Sequence, residues 1–587
     1  MVRQVKFGSL PKIAFCGLVA ALGLSEAAAA ERTLSLEAYR DKMRGGWIGQ
    51  IAGVCFGAPT EFKWRDQIIP QAALPTWRPS MINEAFGQDD LYVEMTFLRT
   101  LEEYGVDVSI RQAGLDFANS EYSLWCANNA GRLNLRKGIA PPASSHPKFN
   151  RCPNDIDYQI EADYAGVIAP GCPQEVIRLG NVFGRLMNYG DGVWAGQFVG
   201  AMYAEAFFTD DVDALLDAGL AAIPAESDYA QMVRRVRAWR KEFPDDWTKT
   251  WQKVVDGYSA RRNKGLKGSN GDIDVRLNGA AVVIGLVYGG GDFDRSIEIS
   301  TRCGWDSDCN PSTVAGVLGC AKGFSKLDAK YVSAIDNAKK FSYTAYDLPG
   351  LYAVCEKLAR TIVVRVGGRI EKDATGEERF VIPVRTPVPD AFVPSWQAPE
   401  TERLAFTPAE MAKQKHAIRL PDAEAVNDPD PTVRVQKTLD ALFPGWKTSP
   451  NAPDMRPGLR ETVDTTKDQR IGCLLTHPPK KGEAVTLSRR FKVPEGNPML
   501  HFAVANSPQG DFRLGIRVNG QTMLSTTVGQ PDKKEWRLHF AEYDFSLEPW
   551  AGQDVTLELV NEANDWRYEA AVWHDIRLTA NNGKIGD

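Results

Sequence analysis

The sequence predicts a multidomain chain: a large all-α domain followed by a β-sandwich of jelly-roll type. Three observations carry this. From Leu34 to about Leu358 apolar residues recur at three- and four-residue spacings, as in Leu91, Met95, Leu98 and Leu101, or Val199, Met202, Tyr203 and Ala206, which is the period of a buried helix face. A Pro-rich, charge-mixed passage then runs from about Thr386 to Pro431. From about Val433 to Ala580 short alternating runs take over, including Val485 to Val493, Met499 to Val504 and Phe512 to Val518, and Asn519-Gly520 between two of them is a type I′ hairpin signal.

In chain order, residues 1–30 come first and read as an export signal. Arg3, Lys6 and Lys12 precede an apolar stretch from Ile13 to Leu24, and Ala27 to Ala30 supply small residues for cleavage. The apolar stretch is shorter than the roughly 20 residues that span a bilayer, so the expectation is an exported protein, periplasmic or extracellular, with no membrane anchor. A net charge of -6 without clustered Lys/Arg excludes nucleic acid as a partner, and 43% hydrophobic against 25% charged residues excludes disorder. Oligomeric state is not legible. Cys152 and Cys172, flanking a Pro/Asn-containing segment, are the first candidates for a disulfide. Of the six histidines His146 alone precedes residue 400, so chemistry in that region is expected to rest on carboxylates.

The all-α domain is assigned to residues 31–365. Gly/Pro/Asn-rich breaks at 138–154, 165–173 and 262–278 separate its helices by long loops of the kind that carry function. Val363 to Val384 alternates enough for one or two strands. Residues 366–432 form a linker or wrapping segment, too rich in Phe392, Trp396, Leu404 and Phe406 to be a solvated tether. Residues 433–587 form the sandwich, whose Trp536, Trp550, Trp566 and Trp573 exceed what its core requires.

Two acidic pairs stand out. In Trp305-Asp306-Ser307-Asp308-Cys309-Asn310-Pro311 the last two residues signal a helix start, which leaves Asp306 and Asp308 in the preceding loop, where both can face one spot. Gln88-Asp89-Asp90 likewise precedes the helical run Leu91 to Tyr104. Acids before helices commonly cap them. Adjacent carboxylates also repel unless a cation lies between them, and Mg²⁺ or Mn²⁺ is the natural occupant of an all-oxygen site.

These motifs resemble those of the ADP-ribosylglycohydrolase family. Asp41 to Phe62 (DKMRGGWIGQIAGVCFGAPTEF) is similar to the family's opening Gly-Asp-Ala-x-Gly-x-x-x-Glu, Gln88-Asp89-Asp90 to its Thr-Asp-Asp, and Asp306-Ser307-Asp308-Cys309 to its Asp-x-Asp-Thr. Order and spacing agree from residue 34 to about 325. The middle of the chain, with Asn134 to Gly138, Ile160 to Asp163 and Ala169 to Gly171, resembles an exported branch that also carries Trp-Asp-x-Asp-Cys-Asn. The resemblance implies an all-α fold with one or two Mg²⁺ or Mn²⁺ ions in a central cleft, held by Gln88, Asp89, Asp90, Asp306, Asp308 and Cys309, and hydrolysis of a glycosidic bond. Val54, Gln88 and Cys309 depart from the family's residues, and a thiol is a poor ligand for a hard cation.

Glu61 and Asp90 are the candidate catalytic carboxylates, either one deprotonating the attacking water. Asp163, Asn188 and Asp191 are candidates for binding sugar hydroxyls and Trp305 for stacking on a ring, although turn formation and core packing explain the same residues. The expected activity is metal-dependent hydrolysis of a carbohydrate or glycoside, with a small-molecule or glycan substrate. ADP-ribosyl or nucleoside N-glycosidic hydrolysis is the enzymatic alternative, and a non-catalytic binding or structural member the other.

Overall fold

The computed structural model describes residues 30–262, 271–393, 405–418, 420–421, 424–465, 469–508, 510–529, 538–564, 568–580 and 583–584. The export signal up to residue 29 and the side chains of Trp396, Leu404, Trp536 and Trp566 lie outside these residues. Among the described residues no helix is long and apolar enough to cross a membrane.

The N-terminal domain is helical, built around two helices that touch along their backbones. The Leu36–Gly57 helix starts at Ser35, whose hydroxyl accepts from Ala38 N, and it carries Gly45, Gly49, Gly53 and Gly57 on one stripe. That stripe lies against the Cys309–Lys322 helix so closely that a Cβ at Gly53 would sit 2.2 Å from the Pro311 carbonyl oxygen, and one at Gly57 1.9 Å from that of Ser307. Backbone contact of this kind sets the height of the 306–308 loop relative to the end of the opening helix. Around this pair pack the Asp89–Tyr104, Asp191–Ala206, Val275–Gly289 and Leu348–Arg365 helices, with Leu91, Met95, Val199 and Met202 in one continuous core.

Strands join the helices at one edge. Glu31–Ser35 pairs antiparallel with Glu378–Pro383, Glu31 opposite Pro383, and Arg369–Lys372 adds on the far side. The alternating stretch after Val363 is thus a hairpin that returns to the start of the domain, and it buries Phe380 and Ile382 in the helical core. The segment beyond it runs along the helical surface. Phe392 stacks near Trp194 at 5.7 Å, Phe406 enters the core, Glu410 accepts from Arg111 Nε at 2.7 Å, and Gln414 donates to the Leu135 carbonyl.

The C-terminal domain is a sandwich of two antiparallel sheets. One sheet orders the strands Gln521–Gly529, Asp511–Val518, Asp554–Glu562, Ala484–Lys492 and Lys447–Thr448. The other orders Ala541–Ser546, Met499–Asn506, Ala571–Ala580, Gln469–Thr476 and Gly458–Asp464, with Gly583–Lys584 pairing onto Ala571–Ala580. Asn519 takes a φ of 51° and Gly520 one of 78°, as the hairpin signal requires. The Pro431–Leu442 helix places Val435 and Leu439 in the sandwich core. A hydrogen bond of 2.8 Å from Lys137 Nζ to Thr462 Oγ1 crosses to the helical domain.

The expected disulfide is not formed: Cys152 and Cys172 are both buried thiols, and the Cys172 thiol donates to the Pro170 carbonyl.

Candidate functional site

The loop after the opening helix is registered to the loop before Cys309 by reciprocal backbone bonds, Phe62 N to Trp305 O and Trp305 N to Trp64 O, each 2.9 Å. Thr60 and Ser307 hydroxyls add a bond of 2.8 Å. Phe62 and Trp305 both adopt positive φ, 50° and 58°, a conformation costly for bulky side chains. The strain falls where the two loops must bring Glu61 and Asp306 side by side.

The acids converge. Ligand atoms of Glu61, Asp306 and Asp308 lie within 4.8 Å of one another, and so do those of Asp90, Asp308 and Cys309. Asp90 and Asp308 are 1% and 3% exposed. Asp308 occupies the position before the first turn of the Cys309–Lys322 helix, two residues earlier than the Asn310-Pro311 signal implied, and its side chain makes no capping bond. Gln88 stands at the same position before Asp89–Tyr104, also without a side-chain cap. Capping therefore does not account for Asp308.

One oxygen each of Asp90, Asp306 and Asp308 is buried without a hydrogen-bond partner, and the Cys309 thiol donates to the other Asp90 oxygen at 3.2 Å. No lysine or arginine among the described residues forms an ion pair with these three. Burial, then the neighbouring carboxylates, push Asp90 and Asp308 well above the usual carboxylate range. Burial also moves Asp306 up to about 7, against hydrogen bonds from Asp308 and Cys309. Glu61 stands at the rim, pushed up to about 8 by partial enclosure and by Asp308 and Asp89. Asp89 is raised by burial and held back by N–H groups of its own turn and by the Trp125 indole. Two close groups of acids that share Asp308, each with a buried unpartnered carboxylate oxygen and no counter-charge, are a donor set that a hard divalent cation fits.

Above them opens a cleft of about 870 Å³. Glu61, Gln88, Asp89, Asp306, Asp308 and Cys309 line it, together with Phe62, Tyr92, Trp125, Cys126, Asn128, Asp157, Asp272 and Tyr343. Asp89 is in the cleft but outside both close groups. Asp157, whose carboxyl burial moves up to about 7, accepts from Asn128 N at 3.0 Å and has its other oxygen unpartnered.

Four residues singled out from the sequence lie elsewhere. Asp163 is buried behind the acids and accepts from the Tyr203 hydroxyl at 2.7 Å. Asn188 donates to the Pro153 and Asp155 carbonyls and accepts from Tyr158 N, which fixes the loop leading to Asp157. Asp191 accepts from Tyr229 N, and Trp305 is packed against Trp251 with ring centroids 5.7 Å apart. None of the four is among the cleft-lining residues, because each satisfies a backbone or packing demand in the interior. Sequence reasoning missed Trp125, Asn128 and Asp157. Asp155-Ile156-Asp157 repeats the acid-x-acid spacing of 306–308 and was the available signal.

A family model described as ADP-ribosylglycohydrolase matches residues 35–365. Among solved structures the chain is similar to an ADP-ribosylglycohydrolase-related protein complex, with 15% identity over 56% of this chain and 100% of the other and a TM-score of 0.36. It is also similar to the K1 cleaved adhesin domain of Lys-gingipain from Porphyromonas gingivalis W83, at 12% identity over 24% of this chain and 92% of the other, TM-score 0.18. A family 35 carbohydrate binding module from an environmental isolate gives 16% identity over 22% and 93%, TM-score 0.14. No curated protein matches the chain.

Proposed function

Because the chain belongs to the ADP-ribosylglycohydrolase family, we propose that its cleft is the active site of an exported, metal-dependent hydrolase that cleaves a glycosidic bond in a carbohydrate or small glycoside. The observation that carries this is the set of buried, unpartnered oxygens of Asp306 and Asp308, which line the cleft, and of Asp90, buried beside Asp308 and Cys309. These three, with Glu61, Gln88 and Asp89 beside them, would hold Mg²⁺ or Mn²⁺, as one ion or two. When bound, such an ion polarises a substrate oxygen and lowers the pKa of a water. Cys309 supports the set by donating to Asp90.

Glu61, at the rim of the cleft beside Asp306 and Asp308, is placed to take a proton from a water there. Asp90 is the second candidate base, although burial holds its proton more tightly. Trp125, Tyr92, Tyr343 and Phe62 offer aromatic faces for a sugar ring. Charge favours a neutral glycoside over an ADP-ribosyl group. Among the described residues that line the cleft the one permanent cation is Arg65, and it pairs with Asp272 at 3.2 Å. Export rests on the leader-like residues 1–30.

The test is hydrolysis by the purified protein, with Mg²⁺ or Mn²⁺, of a panel of neutral glycosides alongside ADP-ribose conjugates and nucleosides. Release of sugar that stops with chelator and returns with the ion is expected. Turnover of the ADP-ribose conjugates or nucleosides alone overturns the carbohydrate assignment, and ion binding with no turnover of any compound identifies a binding protein.

A further inference from the structure

Two sulfur atoms approach each other at and just behind the wall of the cleft, outside the acidic cluster. Cys126 is the first residue of the Cys126–Arg136 helix and lines the cleft, half-buried; Cys152 is buried in the loop ahead of Asp157–Ile160. Their Sγ atoms and a carboxylate oxygen of Asp155 lie within 4.8 Å of one another. The two backbones are already clamped: Asn150 Nδ2 donates to the Ala127 carbonyl at 2.9 Å while its Oδ1 accepts from Cys152 N at 2.9 Å. Asn188 pins Pro153 and Asp155 on the other side.

We propose that Cys126 and Cys152 are the site of a disulfide that ties the Trp125 rim of the cleft to the loop bearing Asp157. A disulfide needs its sulfurs brought to about 2.05 Å with no movement of misaligned backbones. Here the sulfurs start within 4.8 Å of one another, and Asn150 ties the two main chains that carry them together. The oxidant is an organic disulfide. Cys126, which reaches the cleft and stands at a helix N-terminus that favours thiolate, attacks it and releases one organic thiol. Cys152 then displaces the second organic thiol and closes the protein disulfide, so two protein thiols and one organic disulfide yield one protein disulfide and two organic thiols. Cys152, buried and away from the cleft lining, is reached only through Cys126 and is the resolving partner; its hydrogen bond with Cys126, then burial, raises its thiol.

The bond fixes the turn whose indole meets Asp89 against the loop whose Asp157 accepts from Asn128 N. The full chain is incubated with oxidised glutathione, denatured in the presence of N-ethylmaleimide and digested without reductant. The expected product is one linked peptide pair joining Cys126 to Cys152, lighter by two hydrogens than the separate peptides, with Cys172 alkylated. The melting temperature should fall by several degrees on reduction of the parent chain and stay unmoved in Cys126→Ser. Separate alkylation of both cysteines, or a Cys152–Cys172 link, overturns the proposal. So does protection of both thiols that is lost with chelator and accompanied by stoichiometric zinc, which would make the same three side chains a metal site. These readouts are of mass and stability, so they are independent of whether the cleft hydrolyses a glycoside.

Discussion

Asp308 shows how a single carboxylate can be costly to the fold and useful to the site. Its neighbours Asp306 and Asp89 oppose its charge, and no hydrogen bond to the first helical turn offsets this. Asp308→Ala should therefore melt no lower than the parent in chelator, lose the stabilisation that Mg²⁺ or Mn²⁺ gives the parent, and reduce turnover by more than about 100-fold, as thermal shift and glycoside assays will show. Asp191 bears on pH. Burial moves its carboxyl up to about 7, whereas the unfolded chain releases that proton near about 4. Its contribution to stability is complete below about 4 and declines as pH rises to about 7. Asp191→Asn keeps an oxygen for Tyr229 N and removes this group's share of the slope, so denaturant titrations should show the variant gaining on the order of 3 to 4 kcal/mol relative to the parent between those limits. The cleft acids were legible because each pair stands at a helix start, Asp306 and Asp308 just before one helix, Asp89 and Asp90 in the first turn of another and not ahead of it as the sequence suggested. Asp191 was not separable from them, since Gly-Asp-Gly looks the same whether its carboxylate faces a ligand or the N–H of a distant helix.

At the scale of elements, the stripe of small residues on the Leu36–Gly57 helix determines where the acids stand. Gly53→Ala would put a methyl into the Pro311 carbonyl, and because the obstacle is backbone the helices must separate. A loss of about 3 kcal/mol in urea unfolding is expected, together with weaker divalent-ion binding, because the 306–308 loop moves with its helix. The four-residue glycine spacing, with Gly316 and Gly319 opposite, is present in the sequence, but spacing alone does not say which two helices meet. The reversed strand hairpin was not legible. Alternation after Val363 gives a strand, but its partner, Glu31–Ser35, is too short and too near the leader to stand out from helix.

For the whole molecule, the connecting segment is the informative part. Its contacts through Phe406, Glu410 and Gln414 place it along the helical domain, and the Lys137–Thr462 bond joins the sandwich to the same surface. Small-angle scattering should accordingly fit one body, and proteases should cut residues 405–418 slowly; two independently moving bodies would contradict this arrangement. The division into helices and sandwich was legible from the change of period, whereas the wrapping path depends on side chains meeting over distances no local pattern encodes. The pairing of Glu31 with Pro383 has a further consequence, in the time taken to make the chain. The first strand leaves the ribosome long before its partner exists, and no helix in between can supply its missing hydrogen bonds. The domain's edge thus stays open throughout synthesis of its interior, and closure of the fold waits on the arrival of residues 378–383.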